Sequence, residues 1–399
     1  MVVKYELPKR RPNDFSDILD YVKQIVNYVR EKGDRGVIEI TEKVDGIRID
    51  KIRVDREELE NYAERIPSDV KWALDLISEQ LREYNQLLKP PNIGGGRNGV
   101  RYGILWRPIE RVGIYIPGGR KAYPSTALMA SITAVVAGVK EIFFSTPPRK
   151  DQSIDGAIAY VALKLGIKEV YRIGGPQAIA SMAFGTESVK KVEKIVGPGN
   201  RYVQAAKLLV STEVGIDGIE GPTELVIIAD KFANPRDVIL DLRAQSEHGF
   251  DSFLVLISDS EELIRSVSQV LMNDDKTYYL IKVNNITEAI NLANEIAPEH
   301  LSLNIRNAKE MLDLIRNAGV VTINNTPPAL VDYSAGPNHI LPTNSWAKIR
   351  GGITVYDFLK PISYAEANEI SKDLINATLI LAEYEGFKIH KESVRMRYE

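Results

Sequence analysis

The sequence predicts an α/β fold whose sheets are parallel and covered by helices on both faces. Three observations predict it. Short β-branched runs alternate with helical stretches from Arg111 onward; those runs are apolar almost throughout; and three of them end in Gly/Pro turns. A chain of 399 residues is also too long for one ordinary core and suggests two or three domains of ~100–200 residues.

The elements follow in order. Asp14 to Arg30 reads as an amphipathic helix, with Phe15, Ile18, Tyr21, Val22, Ile25 and Val29 on one face and Gly33 as its stop. Helical pattern returns over 57–88 and ends at Lys89-Pro-Pro-Asn-Ile-Gly-Gly-Gly96. The string Gly94-Gly-Gly96-Arg-Asn-Gly99 has the letters of a dinucleotide fingerprint. It has Pro90-Pro91 before it where a strand is required and a strand-like run after it where a helix is required, so it reads as a loop. Strands are expected over 112–116, 141–145, 169–173, 194–196, 225–229 and 253–257. Helices are expected over 126–139, 154–165, 177–184, 202–210 and 238–247, and a last one over 365–384 after Pro361, leading into a charged tail.

Composition excludes several classes. Hydrophobic residues at 44% and charged residues at 26% are those of a soluble globular protein. A net charge of −3, with lysines and arginines dispersed, offers no field for nucleic acid or an anionic membrane. The N-terminus has no apolar signal core, and no run approaches the ~18 apolar residues of a membrane span, which points to the cytoplasm. Cysteine is absent, which removes disulfides, thiolate zinc sites and any cysteine nucleophile. Such a chain fits a reducing compartment, or a hot one where oxidisable residues are disfavoured.

Only four histidines are present, and each lies among groups able to hold a metal or move protons: His248, His300, His339 and His390. Gln245 and His248 share a face at i and i+3 on a helix that Pro235 starts and Gly249 can stop, so both can grip one cation; a helix-end histidine meeting the dipole is the alternative. Glu299-His300 follows Pro298, where an irregular backbone lets a carboxylate and an imidazole face one cavity as an acid/base pair; a solvated pair at a helix end is the other reading. Asp332 to His339 reads as a rigid polar loop between prolines, suited to a ligand or simply hydrated. Glu385 and His390 flank Gly386 at the end of the last helix. Turns at Tyr115-Ile-Pro-Gly-Gly119, Ile173-Gly-Gly-Pro-Gln-Ala178 and Val196-Gly-Pro-Gly-Asn-Arg201 close three strands and outline a ligand crevice.

Taken in this order, the segments resemble the histidinol dehydrogenase family from about Phe15 onward. The strings that carry the resemblance are 173–185, Gly197-Pro-Gly-Asn200, Gly221-Pro-Thr-Glu224, Gln245-Ser-Glu-His248, Ala297-Pro-Glu-His-Leu301, 335–343 and Glu385 with His390. The resemblance implies two incomplete Rossmann-like, doubly wound domains, one inserted in the other. A segment 1–14 would precede a discontinuous α/β domain (15–114 and 225–353) carrying the metal and catalytic residues. The inserted domain would be 115–224, and 354–399 a helical tail embracing a second copy in a homodimer. It implies a zinc-dependent four-electron oxidation of L-histidinol to L-histidine through the aldehyde, with two NAD⁺ in succession, closing histidine biosynthesis. By motif position Gln245, His248, Asp332 and His390 would hold zinc, His390 from the second subunit, and Glu299 and His300 would accept protons. Thr223, His339 and Glu385 would touch substrate, as would His300 and the zinc-holding residues; Tyr115, Gln177 and Asn200 would touch NAD. Two departures bear on substrate affinity: Thr223 stands where many members have serine, and Ala335 and Pro337 stand in a loop often written Ser-Gly-Thr. An aldehyde oxidised without a cysteine adduct must be hydrated first, so a general base beside a water is needed, in keeping with the cysteine-free sequence. The alternatives are a zinc-dependent hydrolase of a small imidazole or amine substrate, with Glu299 acting on a metal-bound water, and a non-catalytic metal or small-molecule binder.

Overall fold

The computed structural model describes residues 3–8, 14–118 and 121–398; parts of the expected N-terminal segment, and Gly119 of the first turn, lie outside the described residues. In chain order, β1 (Val3–Lys4) precedes α1 (Leu19–Asp45), α2 (Arg56–Glu64) and α3 (Ser68–Leu88), then β2 (Ile93–Arg97) and β3 (Val100–Pro108). The alternating part runs β4 (Arg111–Tyr115), α4 (Pro124–Ala137), β5 (Glu141–Ser145), α5 (Gly156–Lys164), β6 (Glu169–Tyr171), α6 (Gly175–Phe184), β7 (Lys194–Val196), α7 (Arg201–Val210) and β8 (Gly215–Ile216). It continues through β9 (Glu224–Ala229), α8 (Pro235–Ser246), β10 (Phe253–Ser258), α9 (Glu261–Leu271), β11 (Tyr278–Lys282), α10 (Ile286–Ile296), β12 (His300–Asn304) and β13 (Val320–Ile323). After α11 (Pro328–Tyr333) come β14 (Leu359–Ala367), α12 (Lys372–Tyr384) and α13 (Lys388–Tyr398).

Two compact units result, Met1–Leu88 with Ile109–Phe358, and Lys89–Pro108 with Leu359–Glu399. The larger holds two parallel sheets, one of five strands in the order β6-β5-β4-β7-β8 and one of six in the order β1-β11-β10-β9-β12-β13. Both are doubly wound: the chain builds outward from β4 or β9 in one direction, then returns to the other side of that strand. The apolar runs are continuous because these strands are covered on both faces; all six residues of β9 are buried. The fold class expected from the sequence is the one observed.

Several elements differ from the expectation. α1 does not stop at Gly33; the chain takes a positive φ there and resumes helix to Asp45. α1 buries Val22, Val26, Val29 and Val37 among Tyr171, Ile179, Met182 and Val203, so it covers the five-stranded sheet although the sequence grouped 15–114 with the other domain. β11, β12 and β13, with α9 and α10, were not anticipated.

In the smaller unit, Gly94–Gly99 is no loop: β2 pairs antiparallel with β3, and Asn98 and Gly99 both have positive φ, the geometry of a two-residue hairpin turn. A side chain at Gly99 would place its Cβ 1.6 Å from the Glu369 carbonyl oxygen. The expected helix over 365–384 begins only at Lys372, because β14 pairs antiparallel with β3 along all nine residues. Pro361 sits in that edge strand, where a missing amide is tolerated, and is not a helix start. The charged tail is itself helix α13.

Candidate active site

Burial of β9 and β12 side by side creates the first half of the site. The two strands pair in parallel with Leu225 opposite His300, which sets Glu224 and Glu299 at equivalent positions one step earlier. Thr223 Oγ1 donates to Glu299 Oε2 at 2.6 Å, and the Glu224 amide donates to the same oxygen at 2.8 Å. Gln245, in the last turn of α8, donates from Nε2 to Thr223 Oγ1 at 2.6 Å, leaving the lone pairs of its Oε1 for another partner. Burial pushes Glu299 well above the usual carboxylate range against the lowering effect of Thr223, with the Asp332 and Glu220 charges adding to the rise. His300 is 2% exposed, and burial, then His248 and His339, lower its imidazole to about 3, so it is neutral. Its Nδ1 is buried without a hydrogen-bond partner, and its Nε2 lies 3.5 Å from Asp332 Oδ1.

Asp332 and His339 form the second half. The expected loop is partly a helix: Pro327-Pro328 starts α11, and Asp332 sits in its last turn. Its carboxylate is mostly buried, which raises it to about 7. His339 is held at both nitrogens, since Nδ1 donates to the Asp332 carbonyl at 2.8 Å and Nε2 therefore accepts from Thr126 Oγ1 at 2.9 Å. Burial lowers this imidazole to about 4. The residue expected to touch substrate thus ties α11 to the first turn of α4. His248, just beyond α8, lies in a cleft of about 280 Å³ with Lys121, Tyr123, Ser125 and Tyr333. Burial and the nearby Lys121 charge lower it.

The residues expected at NAD stand at the carboxyl edge of the five-stranded sheet. Tyr115 ends β4, Gln177 lies in the first turn of α6 and Asn200 caps α7. Tyr115 and Asn200 flank the switch point between β4 and β7, where open α/β sheets take ligands. The Gly175 amide donates to Tyr115 OH at 3.2 Å, and Asn200 Oδ1 accepts from the amides of Tyr202 and Val203. Burial pushes the Tyr115 phenol up to about 12. Gln177 is fully buried and its Oε1 has no partner, an orphaned acceptor that fits a polar ligand at this turn.

Among the described residues, no group of three or more His, Asp or Glu side chains is gathered as a metal site. Gln245, His248 and Asp332 are all in the larger unit. Their chemistry fits a divalent cation: an amide oxygen left over by Thr223, a neutral imidazole, and a buried carboxylate that a cation would compensate. His390 and Glu385 belong to the smaller unit, where they line a groove of about 680 Å³ between α12 and α13 with Leu374, Leu381 and Phe387. The His390 ring lies 5.1 Å from that of Phe387.

A family model described as histidinol dehydrogenase matches residues 8–398. The chain belongs to the histidinol dehydrogenase family. Curated members from Sulfurisphaera tokodaii and Saccharolobus solfataricus are 60% and 57% identical to it, each aligned over 100% of both chains. A crystal structure of histidinol dehydrogenase from Elizabethkingia anophelis superposes with a TM-score of 0.92 at 32% identity, covering 99% of this chain and 96% of that one. The chain is therefore an oxidoreductase of this family, with its fold. Two polar residues that meet the site were given no role by the sequence. Glu224 announces itself only as a charged residue heading a wholly apolar strand; Thr126, in an almost wholly buried helix, carries no such signal.

Proposed function

We propose that the protein oxidises L-histidinol to L-histidine through the aldehyde, with one zinc per subunit and two NAD⁺ in succession, as the last step of histidine biosynthesis in the cytoplasm. The single observation that supports this most is the convergence of a buried carboxylate with raised proton affinity, Glu299, and a neutral imidazole, His300, beside Gln245, Thr223 and Asp332.

Gln245, His248 and Asp332 would hold the zinc, with His390 from a second copy of the chain. Zinc supplies a fixed positive charge for the imidazole and amine of the substrate and no redox chemistry. NAD⁺ supplies the hydride acceptor, and Tyr115, Gln177 and Asn200 would orient it. The neutral imidazole of His300 would take the alcohol proton as hydride leaves the carbinol carbon. For the second oxidation Glu299 would take a proton from the water that adds to the aldehyde carbon, and a second hydride leaves that same carbon. A carboxyl group whose proton affinity is raised toward the working pH is suited to that task. Thr223 would orient Glu299 and Gln245 together as well as contact the substrate, and Glu385 would meet the substrate from the second copy.

A homodimer is part of the reading. The smaller unit carries large exposed apolar side chains, Ile380 at 70%, Tyr384 at 88%, Ile389 at 80% and Met396 at 79%, far more than an isolated surface favours. The test is an anaerobic assay of the zinc-loaded protein that counts NADH formed per histidinol consumed. Two NADH, with zinc lost in His390→Ala and retained in Glu299→Gln, is the expected result. No NADH, or zinc retention with full turnover in His390→Ala, would refute it.

A further inference from the structure

We propose that Glu224 is a positioning residue that fixes Glu299 for the aldehyde step, an inference that rests on the role given to Glu299 above. The two glutamates clamp each other through their backbones. The Glu224 amide donates to Glu299 Oε2 at 2.8 Å, while the Glu299 amide donates to Glu224 Oε2 at 3.2 Å. The other Glu224 oxygen, Oε1, accepts from the Asn344 amide at 2.8 Å. Glu224 is 1% exposed, and each of its carboxylate oxygens accepts from a backbone amide.

The parallel pairing of β9 and β12 makes the clamp possible, because it sets both residues level at the amino ends of adjacent strands. Glu299 immediately precedes β12 and comes directly after Ala297, whose positive φ ends α10, and Pro298. Neither of those residues pins its side chain. With Thr223 alone, the Glu299 carboxylate would be tied at one hydroxyl; the amide of Glu224 fixes the same oxygen from the strand itself. The Asn344 amide joins the 338–345 segment to the same carboxylate, so one side chain holds three chain segments in register. Only an acceptor at both oxygens satisfies this. A glutamine keeps the shape but turns an N–H₂ toward one of two N–H donors.

The distinguishing experiment separates the two oxidations. Glu224→Gln should cut oxidation of supplied histidinaldehyde by about tenfold or more, since a misplacement near 1 Å costs a reacting group that much. Its oxidation of histidinol to the aldehyde should stay within about threefold of native, so NADH per histidinol falls from two toward one and aldehyde accumulates. Zinc content should stay native and the melting temperature should fall only modestly from the lost buried bond, and Glu224→Asp, which keeps both oxygens on a shorter stem, should give a milder form of the same split. Equal loss in both steps in both variants would overturn the proposal, as would native rates in both steps while Glu299→Gln is impaired. Should Glu299→Gln itself oxidise the aldehyde at the native rate, the assignment of Glu299 falls and the clamp falls with it.

Discussion

The ion pair of Lys207 and Asp217 is wholly buried, both side chains at 0% exposure, beneath the turn that carries Asn200. Lys207 Nζ also donates to the Gly197 carbonyl at 3.1 Å, and Asp217 accepts from the amides of Gly197 at 2.7 Å and Gly218 at 3.0 Å. Lys207→Met removes the cation and leaves a carboxylate in the interior. Breaking a buried pair this way costs about 3–5 kcal/mol. Two amides still hold the remaining charge, each such bond being worth roughly 1.5–3 kcal/mol, so the loss should fall near the lower end. The double variant Lys207→Met with Asp217→Asn removes both charges and keeps one acceptor, and should recover more than half of the deficit. Urea unfolding followed by circular dichroism at pH 7 measures both. A single variant within about 1 kcal/mol of native, or a double variant less stable than the single, would refute the reasoning.

Three further outcomes follow from the geometry. Burial, then the Asp237 charge, raises Asp241 from its ordinary 3.8 to about 6, so the folded state holds that proton more tightly than the unfolded state does. The charged form therefore costs stability increasingly as pH rises from 3.8 to about 6: Asp241→Asn should stabilise by roughly 1–3 kcal/mol at pH 7 and by nothing below pH 4, and a melting-temperature gain independent of pH would contradict this. Thr126→Val removes the donor to His339 Nε2 at constant size, and a lost bond of about 1 kcal/mol should raise KM for the alcohol about fivefold with little change in melting temperature. An unchanged KM would show that α4 does not support the Asp332 segment. Gly99→Ala drives a Cβ against the Glu369 backbone at a positive φ, so hydrogen exchange across 93–108 and 359–367 should speed by tenfold or more while β9 keeps its protection; unchanged exchange would mean the turn relaxes freely.

What the sequence revealed, and what it hid, has a physical pattern. Glu141–Ser145 and Lys194–Val196 were placed without error because an uninterrupted apolar run between turn residues admits little but a covered strand. Gly94–Arg97 was misread because glycine lacks strand propensity, and the pairing of β2 comes from β3 and not from its own side chains; the Asn98-Gly99 turn signal was nevertheless present. β14 escaped notice because Pro361 reads as a helix start when the partner strand is more than 250 positions away in the chain. The candidate site residues were visible as types and spacings, but the bonds among them were not. Nothing in Gly221-Pro-Thr-Glu224 says that its last residue will face Glu299, since that follows from a register set by two strands and the helices between them.

On the proposed function, that register also accounts for how one site would serve hydride transfer and proton transfer together. In the five-stranded sheet the candidate ligand residues end or follow their strands, Tyr115 as the last residue of β4 and Asn200 after β7. In the six-stranded sheet they precede them: Thr223 comes before β9, Glu299 before β12 and His248 before β10. The larger unit therefore presents the carboxyl edge of one doubly wound sheet and the amino edge of the other. The Thr126–His339 bond links α4 of the first sheet to the segment after α11, and the Gly221–Thr343 bond ties that segment to the approach to β9. The carboxyl edge offers turns and helix amino ends that suit an anionic dinucleotide. The amino edge offers helix carboxyl ends, at α8 before His248 and at α10 before Glu299, which suit a cation and a protonated substrate. Opposed strand polarity would thus give one unit a rim suited to an anion and another suited to a cation, with Glu299 and His300 rooted in the second.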